Sequence, residues 1–216
     1  MSHYSSRPEN MTNFLSRIEL SQNQRMQGII DGWYRNQKSG MKRTMEHNEF
    51  TYCPHCATPL VRTTRFNQIR PVCPSCDYVY FLDPKVAVIA FVTHANRLLL
   101  IRRAVRPAKG KWALPGGYMD AGEMPEHALQ RELREEVGLD VHIDHLLDIY
   151  PMAGPGVDNR GIVMAYAAVP VGNGGEQVLE SNDDVSAAGW FGHDEIPDEL
   201  AFESTRALLA AWRENL

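Results

Sequence analysis

The sequence predicts an α+β fold in which helices cover a mixed sheet as an α/β/α sandwich, preceded by a small module that contains all of the cysteines. The main support is the order of the segments. Stretches rich in β-branched and apolar residues are divided by one amphipathic helical segment, and a second helical segment follows them. With 216 residues, the chain can hold one ordinary core and one accessory module of this kind.

The first segment, residues 1–50, contains no clear core. Apolar side chains between Phe14 and Trp33 suggest one or two short amphipathic helices, although Gly28 and Gly32 weaken that pattern. We therefore treat the segment as an N-terminal extension of unknown role, which could pack on the next module, mediate dimerisation or remain loose.

The cysteines lie in a second segment, residues 51–82, with the spacing Cys-x₂-Cys-x₁₆-Cys-x₂-Cys. This spacing is typical of a closed tetrahedral zinc site, which leaves no position for substrate. Two disulfides are disfavoured in a chain without a secretion signal, and a thioredoxin-like redox pair is disfavoured because two such turns occur together. We expect a structural zinc ribbon with strands near Phe66–Val72 and Tyr78–Leu82, and with His55 outside the coordination sphere. The predicted zinc ligands are Cys53, Cys56, Cys73 and Cys76.

The third segment, residues 83–216, is expected to form the main domain. Asp83-Pro84 marks its beginning, and a turn at Ala95-Asn96 joins its first two strands into a hairpin. The predicted strands are Val86–His94, Arg97–Arg102, Val141–Ile149, Gly161–Val169 and Gly189–Phe191, and the last helix is predicted at Glu203–Trp212.

One helical segment of this domain concentrates acidic side chains. Glu132, Glu135 and Glu136 stand at i, i+3 and i+4, so a helix places them on one face. Like charges at this spacing cost roughly 0.2–0.5 kcal/mol per pair, which a bound cation would offset. Hard divalent ions such as Mg²⁺ prefer carboxylate oxygens, so the spacing indicates a metal site. Arg131 precedes Glu135 by four residues and can hold it by a charge-assisted hydrogen bond.

The remaining positions of this segment support a helix. Leu129, Leu133 and Val137 form an apolar stripe that would bury against a sheet. Pro125 suits a first helical turn, and Gly138 suits the position after the last turn.

The segment and the glycine turn before it, Pro115-Gly116-Gly117, resemble the Nudix box. The box reads Gly, five residues, Glu, seven residues, Arg-Glu-aliphatic, one residue, Glu-Glu, one residue, Gly-aliphatic. All nine specified positions match, which an ordinary solvated acidic helix does not explain. They are Gly117, Glu123, Arg131, Glu132, Leu133, Glu135, Glu136, Gly138 and Leu139.

Members of the Nudix superfamily hydrolyse a phosphoanhydride bond in nucleoside diphosphates linked to another moiety. The resemblance implies catalytic Mg²⁺ or Mn²⁺, a role for Arg131 in orienting a carboxylate, and a role for Glu123 in bracing the loop against the helix. The implied ligands of the catalytic metal are Glu132, Glu135, Glu136 and, through its backbone carbonyl, Gly117.

A zinc ribbon before a Nudix domain resembles the arrangement in NADH pyrophosphatases and in hydrolases of ADP-ribose or FAD. The NADH enzymes carry a Ser-Gln-Pro-Trp-Pro-Phe-Pro signature, which the sequence from Ile149 to Gly156 does not match. The tail Asp194-Glu-Ile-Pro197 is more similar to the ADP-ribose and FAD group. The expected substrate is an ADP-containing dinucleotide or sugar such as ADP-ribose, FAD or NADH. The alternatives are a ligand-sensing or nucleic-acid-binding module without turnover, or an enzyme for nucleoside triphosphates or capped RNA.

Basic residues between the hairpin and the box could clamp a diphosphate, with Trp112 or Tyr118 as stacking surfaces for a base. A solvated basic loop beside a core tryptophan explains the same pattern equally well. The basic residues are Arg102, Arg103, Arg106, Lys109 and Lys111.

The general base is left unassigned. Family members often carry a Glu three residues before the Trp-Phe strand, and Ala187 occupies that position. Glu180, Asp183 and Asp184 are the nearby acidic alternatives.

The overall charge and hydropathy narrow the expected partners. A net charge of −5 argues against non-specific binding of nucleic acid. No apolar run approaches the roughly 20 residues of a membrane span. The segment Met1–Asn10 lacks the apolar centre of a secretory signal, so a cytoplasmic location is the default expectation. We expect a small nucleotide as the partner, no nucleic acid, no membrane, and leave a homodimer open.

Overall fold

The computed structural model describes residues 50–152, 161–172, 178–182 and 184–213. These residues form two compact units, which meet in the sequence between Pro84 and Lys85. The short helices expected between Phe14 and Trp33, and the loop residue Asp183, lie outside the described residues.

The first unit is built on an antiparallel hairpin of β1 (Val61–Arg65) and β2 (Gln68–Val72). Phe66 forms part of the turn with a φ of 51°, so the strand predicted to begin there starts at Gln68 instead. The strand predicted at Tyr78–Leu82 is wrong, because this segment meets β2 only at its end and forms an isolated bridge between Val79 and Val72.

The second unit contains a mixed six-stranded sheet with the order β5-β4-β3-β7-β6, and β8 also pairs with β4. β3 and β7 run parallel, while the other pairs are antiparallel. The strands are β3 (Lys85–His94), β4 (Arg97–Arg103), β5 (Trp112–Ala113), β6 (Val141–Pro151), β7 (Gly161–Pro170) and β8 (Val185–Phe191), and the helices are α1 (Pro125–Val137) and α2 (Glu203–Arg213).

The two helices cover opposite faces of the sheet. α1 packs over a core that includes Leu99 and Ile101, and α2 packs over a core that includes Leu98 and Leu100. Neighbouring residues of a strand point to opposite faces, which is why β4 is apolar at all of these positions. This arrangement confirms the predicted α/β/α sandwich. No helix in the described ranges is long and apolar enough to cross a membrane.

The predicted strands of this unit agree with the structure to within two residues at each end, except at β8. β8 begins at Val185 rather than Gly189, and β5 was not predicted. After Val185, β8 continues with the small residues Ser186, Ala187 and Ala188, which carry little strand propensity. Pairing with β4 therefore determines this strand more than its own sequence does.

Candidate active site

The ends of α1 are fixed by its local sequence. Pro125 stands in the first turn, where its missing N–H needs no partner. At the other end Gly138 is left-handed with a φ of 67°, and its N–H donates to the carbonyl of Arg134 at 3.1 Å. The N–H of Leu139 donates to the carbonyl of Leu133 at 3.2 Å. With its apolar stripe buried in the core, the helix directs its acidic side toward the glycine turn.

Arg131 holds the acidic residues of the box together. Its Nε and Nη2 each donate to Glu123 at 3.0 Å, and its Nη1 donates to Glu132 at 2.8 Å and to Glu135 at 3.1 Å. Nη2 also donates to the backbone carbonyl of Tyr118 at 3.1 Å. One guanidinium thus fixes three carboxylates and the end of the glycine turn, which only the planar, five-donor geometry of arginine allows.

Glu123 connects the loop before α1 to the helix. It accepts hydrogen bonds from Arg131 and from the N–H of Asp120, the latter at 3.1 Å. The bonds from Arg131, followed by that from Asp120, lower the pKa of Glu123. Glu123 is therefore a charged anchor for this loop at neutral pH.

The glycine turn packs closely against β3 and Glu132, and at Gly116 no side chain would fit. A Cβ on Gly117 would lie 2.5 Å from the carboxylate of Glu132, and a Cβ on Gly116 would lie 2.1 Å from the carbonyl oxygen of Val88. Gly116 also has a φ of 138°, which side chains rarely adopt. Its N–H donates to Oε2 of Glu136 at 2.9 Å. The carbonyl oxygen of Gly117 accepts one hydrogen bond, from the N–H of Val88 at 2.8 Å. Its second lone pair is left for another donor or for a metal ion.

Two of the box glutamates lie in surroundings that disfavour their charge. Glu136 is only 2% exposed, and burial raises its pKa well above the ordinary value, although the N–H of Gly116 opposes the shift. Burial also raises the pKa of Glu132, against the effect of Arg131. A buried carboxylate near a half-buried one is stabilised by an added positive charge, because the two negative charges repel each other. A divalent cation fits this donor set.

The carboxylates are not gathered around one point in this structure. Within the described part of the chain, the cysteines form the one group of three or more metal-ligating side chains whose ligand atoms all lie within 4.8 Å of one another. Arg131 holds Glu132 and Glu135, whereas Glu136 is turned toward Gly116.

The raised pKa of Glu136 predicts a pH dependence of stability in protein without added divalent cations. The folded state binds this proton more tightly than the unfolded chain, so the group increasingly disfavours folding as the pH rises above the ordinary glutamate pKa of about 4.3. Glu136→Gln should therefore unfold at a higher temperature than the wild type near about pH 8, and the difference should vanish near about pH 4. Thermal unfolding of both proteins at the two pH values measures this, and an equal difference at both would contradict it.

The loop before β8 is attached to the end of α1. The N–H of Glu180 donates to the carbonyl of Val137, and the N–H of Asn182 donates to the carbonyl of Glu136, both at 3.2 Å. These bonds satisfy two carbonyls that a helix end leaves without partners. The loop is consequently fixed to the residue that carries the most buried carboxylate.

Asp184 ends this loop near the box residues Glu132 and Glu136. Its carbonyl accepts a hydrogen bond from Ala104 at 2.6 Å, and its carboxylate lies 3.7 Å from Nη2 of Arg103. The charge of Asp184 contributes to the raised pKa of both Glu132 and Glu136. Among the described acidic residues of the loop, Asp184 is thus the one that acts on the box glutamates electrostatically.

The strand register places the residues that were predicted to contact substrate on opposite faces of the sheet. Arg103 lies on the α1 face, where its charge lowers the pKa of Glu136, and its Nε donates to the carbonyl of Pro107 at 2.9 Å. Arg102 is directly opposite Trp112 in the β4–β5 ladder, so both lie on the α2 face. Trp112 packs there against Phe191 with ring centroids 4.9 Å apart.

Ala187 also lies on the α2 face. In the β4–β8 ladder Ala187 is opposite Arg102. The next pair is Arg103 with Val185, and the register shifts at Ser186 between the two pairs. The position where family members often carry a glutamate therefore faces away from the box in this chain.

Tyr118 follows the glycine turn, and its ring lies on the α2 face of the sheet, because Tyr118 is opposite Ala87 in an isolated bridge. It is 50% exposed, its hydroxyl donates to Sδ of Met152 at 3.6 Å, and its carbonyl is held by Arg131. The ammonium of Lys85 lies 5.0 Å from the ring centroid. Sequence reasoning missed Lys85, because only the bridge between Ala87 and Tyr118 brings the start of β3 beside the turn.

The four cysteines converge in the first unit. Their sulfurs are 3.4 Å apart for Cys56 and Cys73, and 3.6 Å apart both for Cys53 and Cys76 and for Cys56 and Cys76. All four are free thiols. Sulfurs around a tetrahedral zinc ion lie about 3.8 Å apart when each bond is about 2.3 Å, so the group fits zinc. The ring of His55 packs on Tyr78, with centroids 4.6 Å apart, and is not part of the group.

Comparison with known proteins identifies the family to which the second unit belongs. The model of the NUDIX domain matches residues 83–212. The chain is 37% identical over 131 residues to an ADP-ribose pyrophosphatase of Methanocaldococcus jannaschii, an alignment that covers 61% of this chain and 75% of that protein. It is 29% identical over 150 residues to the NAD-capped RNA hydrolase NudC of Stutzerimonas stutzeri, covering 69% of this chain and about half, 51%, of that protein.

A solved structure supports the same assignment. A NUDIX hydrolase from Nitrosomonas europaea superposes with a TM-score of 0.68 at 26% identity, covering 76% of this chain and 92% of that one. The domain match spans more than half of the chain and includes the complete box with its glycine turn. The chain therefore belongs to the Nudix family and is a Nudix pyrophosphohydrolase.

Proposed function

We propose that the chain hydrolyses the phosphoanhydride bond of an ADP-containing dinucleotide or sugar, such as ADP-ribose, FAD or NADH. The observation that supports this most is the buried carboxylate of Glu136, which lies near Glu132 and accepts a hydrogen bond from the glycine turn. The relative named ADP-ribose pyrophosphatase, matched over 75% of its length, favours this substrate class. Water adds across the anhydride, so ADP-ribose would give AMP and ribose 5-phosphate.

Catalysis is proposed to require Mg²⁺ or Mn²⁺. When bound, the ion would supply charge neutralisation on the diphosphate and a water of lowered pKa. The residues that would hold it are Glu132, Glu135, Glu136 and the carbonyl of Gly117.

The protein's own residues organise this site before substrate arrives. Arg131 fixes the orientations of Glu132 and Glu135, and Glu123 fixes Arg131 in turn. Gly116 orients Glu136 from the other side. The helix already sets the backbone positions of these carboxylates on one face of α1, and they would be drawn together around a bound cation.

Asp184 is proposed to supply the acidic group that Ala187 cannot. Asp184→Asn keeps the size and the backbone bond to Ala104, so we expect kcat to fall about 10²-fold with a much smaller change in KM. Steady-state kinetics with Mg²⁺ measure this. Glu180→Gln, in the same loop, is the matched control and should remain near wild type. A glutamate added at Ala187 should not rescue Asp184→Asn, since that position faces α2.

Tyr118 is proposed to stack against the base or another flat ring of the substrate. Its position is fixed by Arg131 and Met152, while half of its surface stays exposed. Lys85 lies beside the ring on the same face of the sheet.

Replacing Tyr118 should affect binding more than chemistry. Stacking of a base on an aromatic ring contributes about 1–3 kcal/mol, so Tyr118→Ala should raise KM at least about five-fold with kcat little changed. Tyr118→Phe, which loses only the bond to the sulfur of Met152, should keep the wild-type KM. Equal KM values for the alanine variant and the wild type would remove Tyr118 from the substrate site.

A second candidate is an enzyme that acts on a nucleotide cap of RNA, because one relative is named an NAD-capped RNA hydrolase. That match spans only about half of the relative, 51%. Hydrolysis rates, each measured with Mg²⁺ and with Mn²⁺, separate the two candidates. The substrates to compare are ADP-ribose, NADH, FAD, dinucleoside polyphosphates and NAD-capped RNA. A kcat/KM for capped RNA well above those of all the free nucleotides would favour the second.

The first unit is proposed to hold one structural zinc ion. The free thiols and their spacing fit a closed four-sulfur site, which has no position for substrate. The role of this zinc is therefore folding rather than catalysis.

A further inference from the structure

The hairpin of the first unit exposes an aromatic pair. Phe66, in the turn, is 71% exposed, and Phe81 is 46% exposed. Their ring centroids lie 5.8 Å apart with planes inclined by 30°. Large apolar side chains that remain exposed next to one another are characteristic of binding surfaces.

Arginines share this surface with the two rings. The guanidinium of Arg70 lies 4.7 Å from the ring centroid of Phe81. Arg65 is two residues from Thr63, the cross-strand partner of Arg70, so Arg65 and Arg70 lie on the same face of the hairpin. From Val61 to Val72 the chain has three arginines and no acidic residue.

We propose that this surface, formed by Phe66, Phe81, Arg65 and Arg70, binds single-stranded nucleic acid. A single strand presents unstacked bases, which can stack on phenylalanine rings, together with phosphates, which can pair with guanidinium groups. A duplex hides its base faces, and an acidic peptide has no regular series of rings. The surface therefore matches a single strand in both chemistry and charge.

The negative net charge of the chain does not oppose local binding of this kind. At physiological salt, exposed charges more than about 8 Å apart are largely screened, so the nearby arginines determine the attraction. With only two or three of them in reach, stacking has to provide much of the affinity. Binding would then depend on salt less steeply than in proteins with extended basic surfaces.

Fluorescence anisotropy of the full zinc-loaded chain with labelled oligonucleotides of about 12 nucleotides tests the proposal. The probes are a single-stranded RNA, a single-stranded DNA of the same sequence, and the RNA duplex. We expect saturable binding of both single strands and clearly weaker binding of the duplex. Phe66→Ala should weaken binding at least about five-fold. Arg65→Gln should weaken it and reduce the slope of log K against log salt by roughly 0.7.

The other face of the same hairpin provides matched controls. Ile69, which is 66% exposed, and Arg62 lie there, because their cross-strand partners are Thr64 and Pro71. Ile69→Ala and Arg62→Gln should bind like the wild type.

Absence of saturable binding up to about 100 μM would overturn the proposal, as would equal losses in test and control variants. Self-association that Phe66→Ala abolishes, seen by sedimentation velocity, would instead assign the surface to a second copy of the chain. Since turnover is not measured, failure here leaves the proposed hydrolase activity unaffected.

Discussion

Replacing Glu136 by glutamine is expected to lower kcat by about 10²-fold or more, a loss of at least about 2.7 kcal/mol of transition-state stabilisation. Glu136 is only 2% exposed, and its one hydrogen bond to Gly116 can be kept by the amide oxygen of glutamine. The substitution therefore removes the negative charge while leaving size and contacts in place. Glu135→Gln, on the exposed side of the cluster, should lose activity in the same range.

The control for both variants is Glu126→Gln. Glu126 lies in the first turn of the same helix and interacts with the hydroxyl of Tyr166, a hydrogen bond that glutamine can also accept. Initial rates with Mg²⁺ and circular dichroism of all three variants separate loss of chemistry from loss of fold. Hydrolysis in ¹⁸O-labelled water should place the label on a phosphate. Wild-type rates in both box variants, or activity without any divalent metal, would exclude the proposed mechanism.

The sequence was most informative where function depends on local spacing. The i, i+3 and i+4 positions of the three glutamates determine that they share a helix face, and Arg131 reaches Glu135 because it stands one turn earlier. A turn at Gly116 and Gly117, shortly before the helix in the sequence, brings the backbone beside the glutamates. These relations need no knowledge of the sheet, so they could be predicted without it.

Relations set by strand register could not be predicted in this way. Arg102 and Arg103 are neighbours in the sequence, yet they lie on opposite faces of the sheet, and only Arg103 is on the side of Glu136. The choice of Asp184 over Glu180 likewise depends on where the loop is attached to α1 and β4. Lys85 meets Tyr118 through a single bridge between segments far apart in the chain. Each of these depends on a long-range hydrogen bond that periodicity does not show.

Loss of the bound zinc ion is expected to unfold the first unit. Among its described residues, the buried apolar side chains are Pro71 and Val72 together with Cys53 and Cys73, too few to form a core. Units this small are usually stabilised by a metal or by disulfides, and these cysteines are free. Zinc binding to such modules is largely folding free energy, about 10–16 kcal/mol in isolated zinc fingers at neutral pH.

Cys73→Ser should therefore unfold this unit, because Cys73 is fully buried and a hydroxyl is a poor zinc ligand. Elemental analysis should find close to one zinc per chain in the reduced wild type and much less in the variant. Limited proteolysis should cut the variant first within residues 51–84. His55→Ala is the matched control, since His55 contributes only its backbone N–H to the sulfur of Cys53 and should retain the metal. A wild-type protein without zinc, or a Cys73→Ser protein as resistant to protease as the wild type, would show that the thiols have another role.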